Sequence, residues 1–508
     1  MRTSCLGEAC KRKSPLGQTN SHANLQPQSS MIFSAPVFVW FFLPLCLLLC
    51  LGFLSPPRRN AGLLVFSLIF YFWGEKVFVL YLLVSLMTSY LIAHALRRSS
   101  RPAWVLGLGI SLQLAGLVYF KYAGFFAEAL GMLQLQPDNE VLQRLRQVHM
   151  PLGISFFTFQ NISYLVDVHR GEVEPEKNPL DYALYISFFP QLIAGPIIRY
   201  RDVASQLASR IVTADLFLSG CRRFLTGLAK KVILADNIGE YVNAALHIPP
   251  QELNLYTGWL IPAGYALQLY FDFSGYSDMA IGLGRMFGFR FLENFNFPYV
   301  ARSFRDYWRR WHISLSTWFR DYVYYPLGGN RKGPLRTYLN LWIIFPLVGL
   351  WHGASWNCVV FGLLHGTFMV AERLGLERWL ERAPRPAGHL YFWLLYLVSL
   401  AVFTTDGLSH AFFVLKAMAG LGTQTDPYQS AALYFSPALV LWIVLAILFS
   451  LPIKNFLLLH LQRLPHRPRA WIFSFQRPAR LGWYGLLAWL TAGEISGSAY
   501  NAFIYFKF

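Results

Sequence analysis

The sequence predicts an all-α, polytopic membrane protein: a helical bundle of roughly ten to twelve spans, with interfacial or re-entrant helices between them. Composition is the first reason. Of 508 residues, 55% are hydrophobic and 14% charged, whereas an ordinary soluble domain is about 25% charged. Recurrence is the second. Apolar runs long enough to span a bilayer, or nearly so, return from residue 31 to the C-terminus: Ile32 to Leu54, Ala103 to Phe120, Leu255 to Phe273, Tyr338 to Phe361, Tyr391 to Phe403 and Leu433 to Leu451. About 20 apolar residues make one span.

Taken in chain order, residues 1–30 are a polar extension rich in Ser, Gln and Asn, and no secretory signal precedes the first apolar run, which opens at Met31. They read either as a short disordered tail or as a misassigned start with translation from Met31, and the second reading is preferred. Residues 31–508 form a single membrane domain. The longest polar intervals, about 134–150, 167–181, 199–212 and 454–480, are each too short for an independent core. There is no repeat at solenoid periods and no pair of matching halves of the kind many transporters show.

The formal net charge of +18 is carried by short loop clusters: Arg97-Arg98 with Arg101, Arg222-Arg223 followed by Lys230-Lys231, Arg331-Lys332 with Arg336, and the stretch from Arg463 to Arg480. Distributed this way between apolar runs, the charge speaks for membrane topology and anionic lipid, and no nucleic-acid partner is expected. Not every such loop can be cytoplasmic if every run spans, so counting leaves the orientation open. The six cysteines, at 5, 10, 46, 50, 221 and 358, include no CxxC pair. They argue against disulfides and zinc.

Three segments carry candidate chemistry. The first, Leu267 to Asp278, sets Asp272 and Asp278 beside several hydroxyls on a membrane span. Asp278 and Arg285 would share a helix face. An intrabundle polar network that fixes helix packing is preferred there over direct catalysis. The Gly282-to-Gly288 stretch is GxGxxxG outside any βαβ context, and reads as close helix packing.

The second, Arg305 to Tyr322, drawn as one helix puts Trp308, Trp311, Leu315, Trp318 and Tyr322 on an aromatic stripe at 3-4-3-4 spacing. That predicts an interfacial helix with His312 at the stripe's edge, near Arg305 and Arg309, facing a pocket or bonded within the bundle. The arginines would hold donor phosphates or anchor to headgroups, the latter being the safer reading.

The third segment is Leu350-Trp351-His352-Gly353-Ala354-Ser355-Trp356-Asn357. An imidazole at hydrocarbon depth is costly and trades a proton near neutral pH, so it reads as a functional site by default, against a structural histidine bonded in the bundle. If the stretch is one helix, His352 and His365 lie about 20 Å apart along the axis and point to different sides, so they should not share a metal. No HExxH, Walker loop or GxSxG elbow is present, which leaves metalloprotease, NTPase and serine-hydrolase readings without support.

The order and spacing of "RDYWRRWHISLSTWFRDYVYYPLGGNRKG" and "GLWHGASW", whose histidine falls forty positions after His312, resemble the membrane-bound O-acyltransferase family. The nearest likeness is to the bacterial branch that includes the alginate O-acetyltransferase membrane subunit. "FDFSGYSDMAIGLGRMFGF", "NFNFPYVARSF", "FFPQLIAGPIIRY" and the terminal "FIYFKF" look like the same branch, and the match covers essentially Met31 to Phe508.

The resemblance implies acyl transfer at a membrane-buried site, with the signature histidine on His352 and the second motif histidine on His312. It implies a cytoplasmic thioester donor, acetyl-CoA or a related acetyl donor, used as substrate with no tightly bound cofactor. It also implies delivery to an exported polysaccharide such as alginate through a periplasmic acetyltransferase or SGNH-like partner, from the bacterial inner membrane. D-alanyl transfer to a cell-envelope polymer is the runner-up. Outside the family, a proton-coupled transporter or a silent scaffold would be the rival classes. Asn357 and Asp272 are polar neighbours to which the sequence gives no role.

Overall fold

The computed structural model describes residues 31–132, 140–423, 436–453, 456, 476–497, 503 and 504. The expectation for residues 1–30 lies outside the described residues, as does most of the basic stretch from Arg463 to Arg480. Among the described residues the chain is helical and holds no strand. The principal helices are α1 Phe38–Phe53, α2 Pro56–Glu75, α3 Phe78–Arg98, α4 Pro102–Gly131, α5 Ile154–Arg170, α6 Ala214–Ala229, α7 Leu255–Met286, α8 Phe304–Arg310, α9 Ile313–Phe319, α10 Pro334–His352, α11 Trp356–Ala371 and α12 Arg385–Thr404.

Local chemistry starts these helices where they start. Pro56, Pro102 and Pro334 stand at first helical positions, where a missing N–H costs nothing and the fixed φ already suits the helix. Asn254 caps α7 by accepting from the Thr257 N–H at 3.0 Å, and Ser303 caps α8 by accepting from the Asp306 N–H at 3.1 Å. Each satisfies one otherwise orphaned donor.

The outer helices are apolar outward and polar inward. Phe41, Leu80 and Trp104 are 71%, 63% and 79% exposed, which costs nothing in lipid. Inside, Ser85 donates to Gln113 Oε1 at 2.8 Å, Gln113 Nε2 donates to Ser89 Oγ at 2.8 Å, Asn161 Nδ2 donates to Ser85 Oγ at 3.0 Å, and the Tyr182 hydroxyl donates to Asn161 Oδ1 at 2.7 Å. Lipid gives no hydrophobic drive between helices, so buried hydrogen bonds of this kind join α3, α4 and α5.

Among the described residues, four helices are long and apolar enough to cross a membrane: Phe78–Arg98, Pro102–Gly131, Trp356–Arg382 and Arg385–Thr404. Three shorter apolar helices, Phe38–Phe53, Leu408–Met418 and Pro437–Ser450, accompany them. By that measure the described residues do not reach the expected ten to twelve spans. Helix α7 shows why. It runs for 32 residues, and every residue from Gly264 to Gly284 is buried, so its sides meet protein and tolerate Gln268, Asp272 and Asp278.

The predicted polar network forms around α7. Asp272 pairs with Lys231 at 2.7 Å, while Asp278 pairs with Lys230 at 2.7 Å and Arg223 at 2.6 Å. Arg285 stands 3.7 Å from Glu293. Glycine sets how closely α6 and α7 cross: a Cβ on Gly275 would lie 2.7 Å from the Gly227 carbonyl oxygen, and one on Gly282 would lie 2.6 Å from the Phe224 nitrogen. Of the GxGxxxG glycines, Gly282 serves this helix crossing, Gly284 makes room for the Phe291 ring, and Gly288 lies past the end of α7 at φ +88°.

Candidate active site

Two departures from regular helix build the site. Helix α10 ends at His352, Gly353 is extended at φ −170°, and Ser355 starts α11 by accepting from the Cys358 N–H at 3.3 Å. The apolar run from Tyr338 to Phe361 is thus divided between two helices. A three-residue break with a fresh N-cap ends the first helix, and the chain folds back as a hairpin. His352 and His365 are consequently both near Phe361, with ring centroids 6.4 Å and 4.3 Å from it. The axial separation of about 20 Å held only for a continuous helix.

The hairpin closes tightly because Gly349 and Gly362 face it. A Cβ on Gly349 would overlap the Cys358 carbonyl oxygen, and one on Gly362 would overlap the Phe345 carbonyl oxygen. Gly362→Val is expected to force α10 and α11 apart at a cost of about 1–3 kcal/mol. Thermal unfolding of the purified variant in detergent measures it; an unchanged transition would show that the crossing can relax.

The second departure is at His312. Residues 305–322 do not form the single interfacial helix expected from the aromatic spacing. They form α8 and α9, joined at Trp311 and His312, and His312 takes the left-handed conformation at φ +43°, a costly state for a non-glycine residue. Trp308, Trp311 and Trp318 are 9%, 3% and 5% exposed, so the aromatic stripe lines the interior. Spacing alone cannot distinguish a face turned to the interface from one turned to neighbouring helices. Arg305 is held by Glu377, with bonds of 2.7 and 2.5 Å.

Asn294 over-determines the His312 backbone. Its carbonyl accepts from the Ile313 N–H at 3.0 Å. Its side-chain Oδ1 accepts from Ser314 Oγ at 2.9 Å and the Ser314 N–H at 3.2 Å, and lies 3.2 Å from His312 Nδ1. Its Nδ2 donates to Ser277 Oγ of α7 at 3.1 Å. An acceptor beside Nδ1 places the ring proton there, which leaves Nε2 as the basic nitrogen.

The structure brings the two sequence-predicted histidines together. Both pack on the Trp351 indole: its centroid is 5.5 Å from the His312 ring and 4.9 Å from the His352 ring. His312 is fully buried and His352 is 6% exposed. His352 also lines two water-sized cavities. The first, about 30 Å³, includes Lys121, Leu152, Ser155, Ile193 and Trp351. The second, about 20 Å³, is walled by Leu269, Trp308, Trp311, Phe361 and Phe403. An imidazole between a partly polar chamber and an apolar one can take a proton from a hydroxyl while water is largely excluded.

Other candidates are structural. His365 Nδ1 accepts from the Trp308 Nε1–H at 3.2 Å, and its Nε2 lies 3.1 Å from Ser399 Oγ, whose own proton goes to the Tyr396 carbonyl. Both ring nitrogens are thereby satisfied. Asn357 Nδ2 donates to the carbonyls of Val402 and Thr405, each at 2.8 Å, and ties α11 to the end of α12. Asp272 is the ion-pair partner of Lys231 and accepts from the Ile504 N–H at 3.0 Å.

Sequence reasoning missed Lys121 and Asn294. Lys121 follows the apolar run ending at Phe120, and the rule that singled out His352 applies to it equally. Its Nζ donates to the Trp351 carbonyl, while the Tyr122 hydroxyl donates to the Leu350 carbonyl at 2.9 Å. Two neighbouring side chains of α4 thus satisfy the last carbonyls of α10 and fix the helix end that presents His352. Asn294 lies within a recognised motif, but nothing in its sequence position shows that it would clamp a left-handed turn.

Residues 105–383, just over half of the chain, match the model of the membrane-bound O-acyltransferase family. The chain is 40% identical over 427 residues to the probable alginate O-acetylase of Azotobacter vinelandii, covering 82% of this chain and 84% of the relative. It is 42% identical over 399 residues to the corresponding protein of Pseudomonas putida, covering 77% and 81%. To the peptidoglycan O-acetyltransferase of Helicobacter pylori it is 34% identical over 442 residues, covering 77% and 80%.

Proposed function

The chain belongs to the membrane-bound O-acyltransferase family, and from that premise we propose that this O-acyltransferase moves an acetyl group from a cytoplasmic thioester, acetyl-CoA or a related donor, across the membrane for O-acetylation of an exported polysaccharide such as alginate. The observation that carries the reading is the placement of His352 at the junction of two small cavities, with His312 on the same Trp351 ring. In this reading His352 accepts the proton of the attacking hydroxyl as the acyl group transfers. His312 supports the site: its strained backbone and its bond to Asn294 hold the wall on which Trp351 rests. The alginate O-acetylase and peptidoglycan O-acetyltransferase relatives support acetyl as the acyl group and a polysaccharide outside the cytoplasm as the acceptor. Delivery through a periplasmic acetyltransferase or SGNH-like partner belongs to the same reading.

The test is complementation of cells lacking the chain, with ester-linked acetate and D-alanine measured on the exported polymer and protein level measured in membranes. Acetate restored by the wild type supports the reading. D-alanine restored in its place would move it to the alternative acyl group. His312→Ala is expected to lower polymer acetate by up to about 10²-fold, the cost of a site held about 1 Å out of place. A loss as large as that of His352→Ala would give His312 a direct part in proton transfer.

A further inference from the structure

Lys121 does more than end a helix. It sits in α4, a helix long and apolar enough to cross the membrane, and it is 7% exposed. Among the described residues no carboxylate forms an ion pair with it, whereas the buried Lys231 has both Asp236 and Asp272 at 2.7 Å. A buried ammonium without a counter-charge is costly. Fixing a helix end does not require one, because the Tyr122 hydroxyl performs the same task one carbonyl earlier. An ammonium carries three N–H donors. Two go to the Trp351 carbonyl and to Ser155 Oγ, the latter at 3.3 Å. Lys121 also lines the first cavity beside His352.

Resting on the acyl-transfer reading above, we infer that Lys121 is a catalytic residue that holds the carbonyl oxygen of the acyl thioester in the first cavity and stabilises the oxyanion formed there. The step balances as follows. The oxygen of the acceptor hydroxyl bonds to the thioester carbonyl carbon and its proton passes to His352. The carbonyl π pair moves to the oxygen, where the remaining Nζ–H of Lys121 donates to it. The tetrahedral adduct then re-forms C=O and breaks C–S, and the departing thiolate takes the proton from the His352 imidazolium. The positive charge that burial penalises in the resting protein is then compensated at the transition state, where charge stabilisation lowers the barrier.

The experiment compares acetyl-CoA with its dithioacetyl analogue, whose C=S accepts hydrogen bonds poorly, in purified wild-type protein and in Lys121→Met. Losing an oxyanion donor costs about 10²- to 10³-fold in turnover. Lys121→Met is expected to lose that factor with acetyl-CoA and less than about 10-fold with the analogue, so that the preference for the oxygen donor shrinks. Equal losses with both donors, or full turnover by Lys121→Met, would overturn the assignment, because a lysine that only supports α10 cannot tell oxygen from sulfur. Lys121→Arg keeps an N–H donor and is expected to keep the preference; a folded Lys121→Arg protein that loses it would equally overturn the assignment. His352→Ala, run alongside, reports separately on the acyl-transfer reading: full turnover by that variant would sink the base and leave the lysine's oxygen preference standing as a distinct result.

Discussion

His352→Ala is expected to lower acetate on the exported polymer by about 10²- to 10⁴-fold, the usual contribution of a general base, with the protein present in membranes at wild-type level. The side chain lines two cavities and packs on Trp351, Phe361 and Phe403. The end of α10 is held by backbone bonds and by Lys121 and Tyr122, none of which uses the imidazole. Truncation should therefore remove the proton acceptor and leave the helix end in place. His352→Gln, similar in shape and without a basic nitrogen, should be as inactive as the alanine variant. Normal acetylation by a well-expressed His352→Ala protein would sink the assignment. It would also favour a scaffold that only recruits partners. Loss of acetate with retained substrate movement would instead point to a proton-coupled transporter.

The second large effect is structural. Lys231 and Asp272 are 2% and 1% exposed and 2.7 Å apart, with Asp236 also 2.7 Å from the lysine. Removing one partner of a buried pair costs about 3–5 kcal/mol, because an uncompensated charge stays behind. Lys231→Met strands two carboxylates. Asp272→Ala leaves Asp236 as the carboxylate partner of the lysine and removes the acceptor of the Ile504 N–H. Lys231→Met is expected to be the worse of the two, with most of the protein lost from membranes or melting well below the wild type in detergent. The double variant Lys231→Met with Asp272→Leu should be more stable than Lys231→Met, since matched apolar replacement removes a stranded charge. A double variant no better than Lys231→Met would mean that Asp236 or the C-terminal contact dominates.

Much of the site is legible in the sequence. His352 stands out as an ionisable group in an apolar run, and motif order paired it with His312. The structure places both on one indole ring. The aromatic spacing of residues 308–322 was real, but its direction was not legible. Periodicity shows which side chains share a face of an ideal helix and cannot show that the helix breaks at His312. Glycine and serine after His352 were available as stop and start signals, since Gly353 ends one helix and Ser355 caps the next. Reading the apolar run as continuous hid them. Lys121 directly follows the apolar run that ends at Phe120, and hydropathy alone reads such a lysine as the end of a span.

The sequence by itself determined the solvent and the class of chemistry. Low charge and recurring apolar runs require helices in a bilayer, since lipid satisfies no backbone polar group, and the ordered motifs mark the family. Tertiary structure alone decided which polar groups meet. The packing of His312 on the Trp351 ring beside His352, the clamp of Asn294 on a left-handed turn, the approach of Lys121 to the end of α10 and the burial of the aromatic stripe all join residues remote in the chain. Such contacts depend on side-chain direction and close approach between helices, which are three-dimensional quantities that spacing along one chain does not encode.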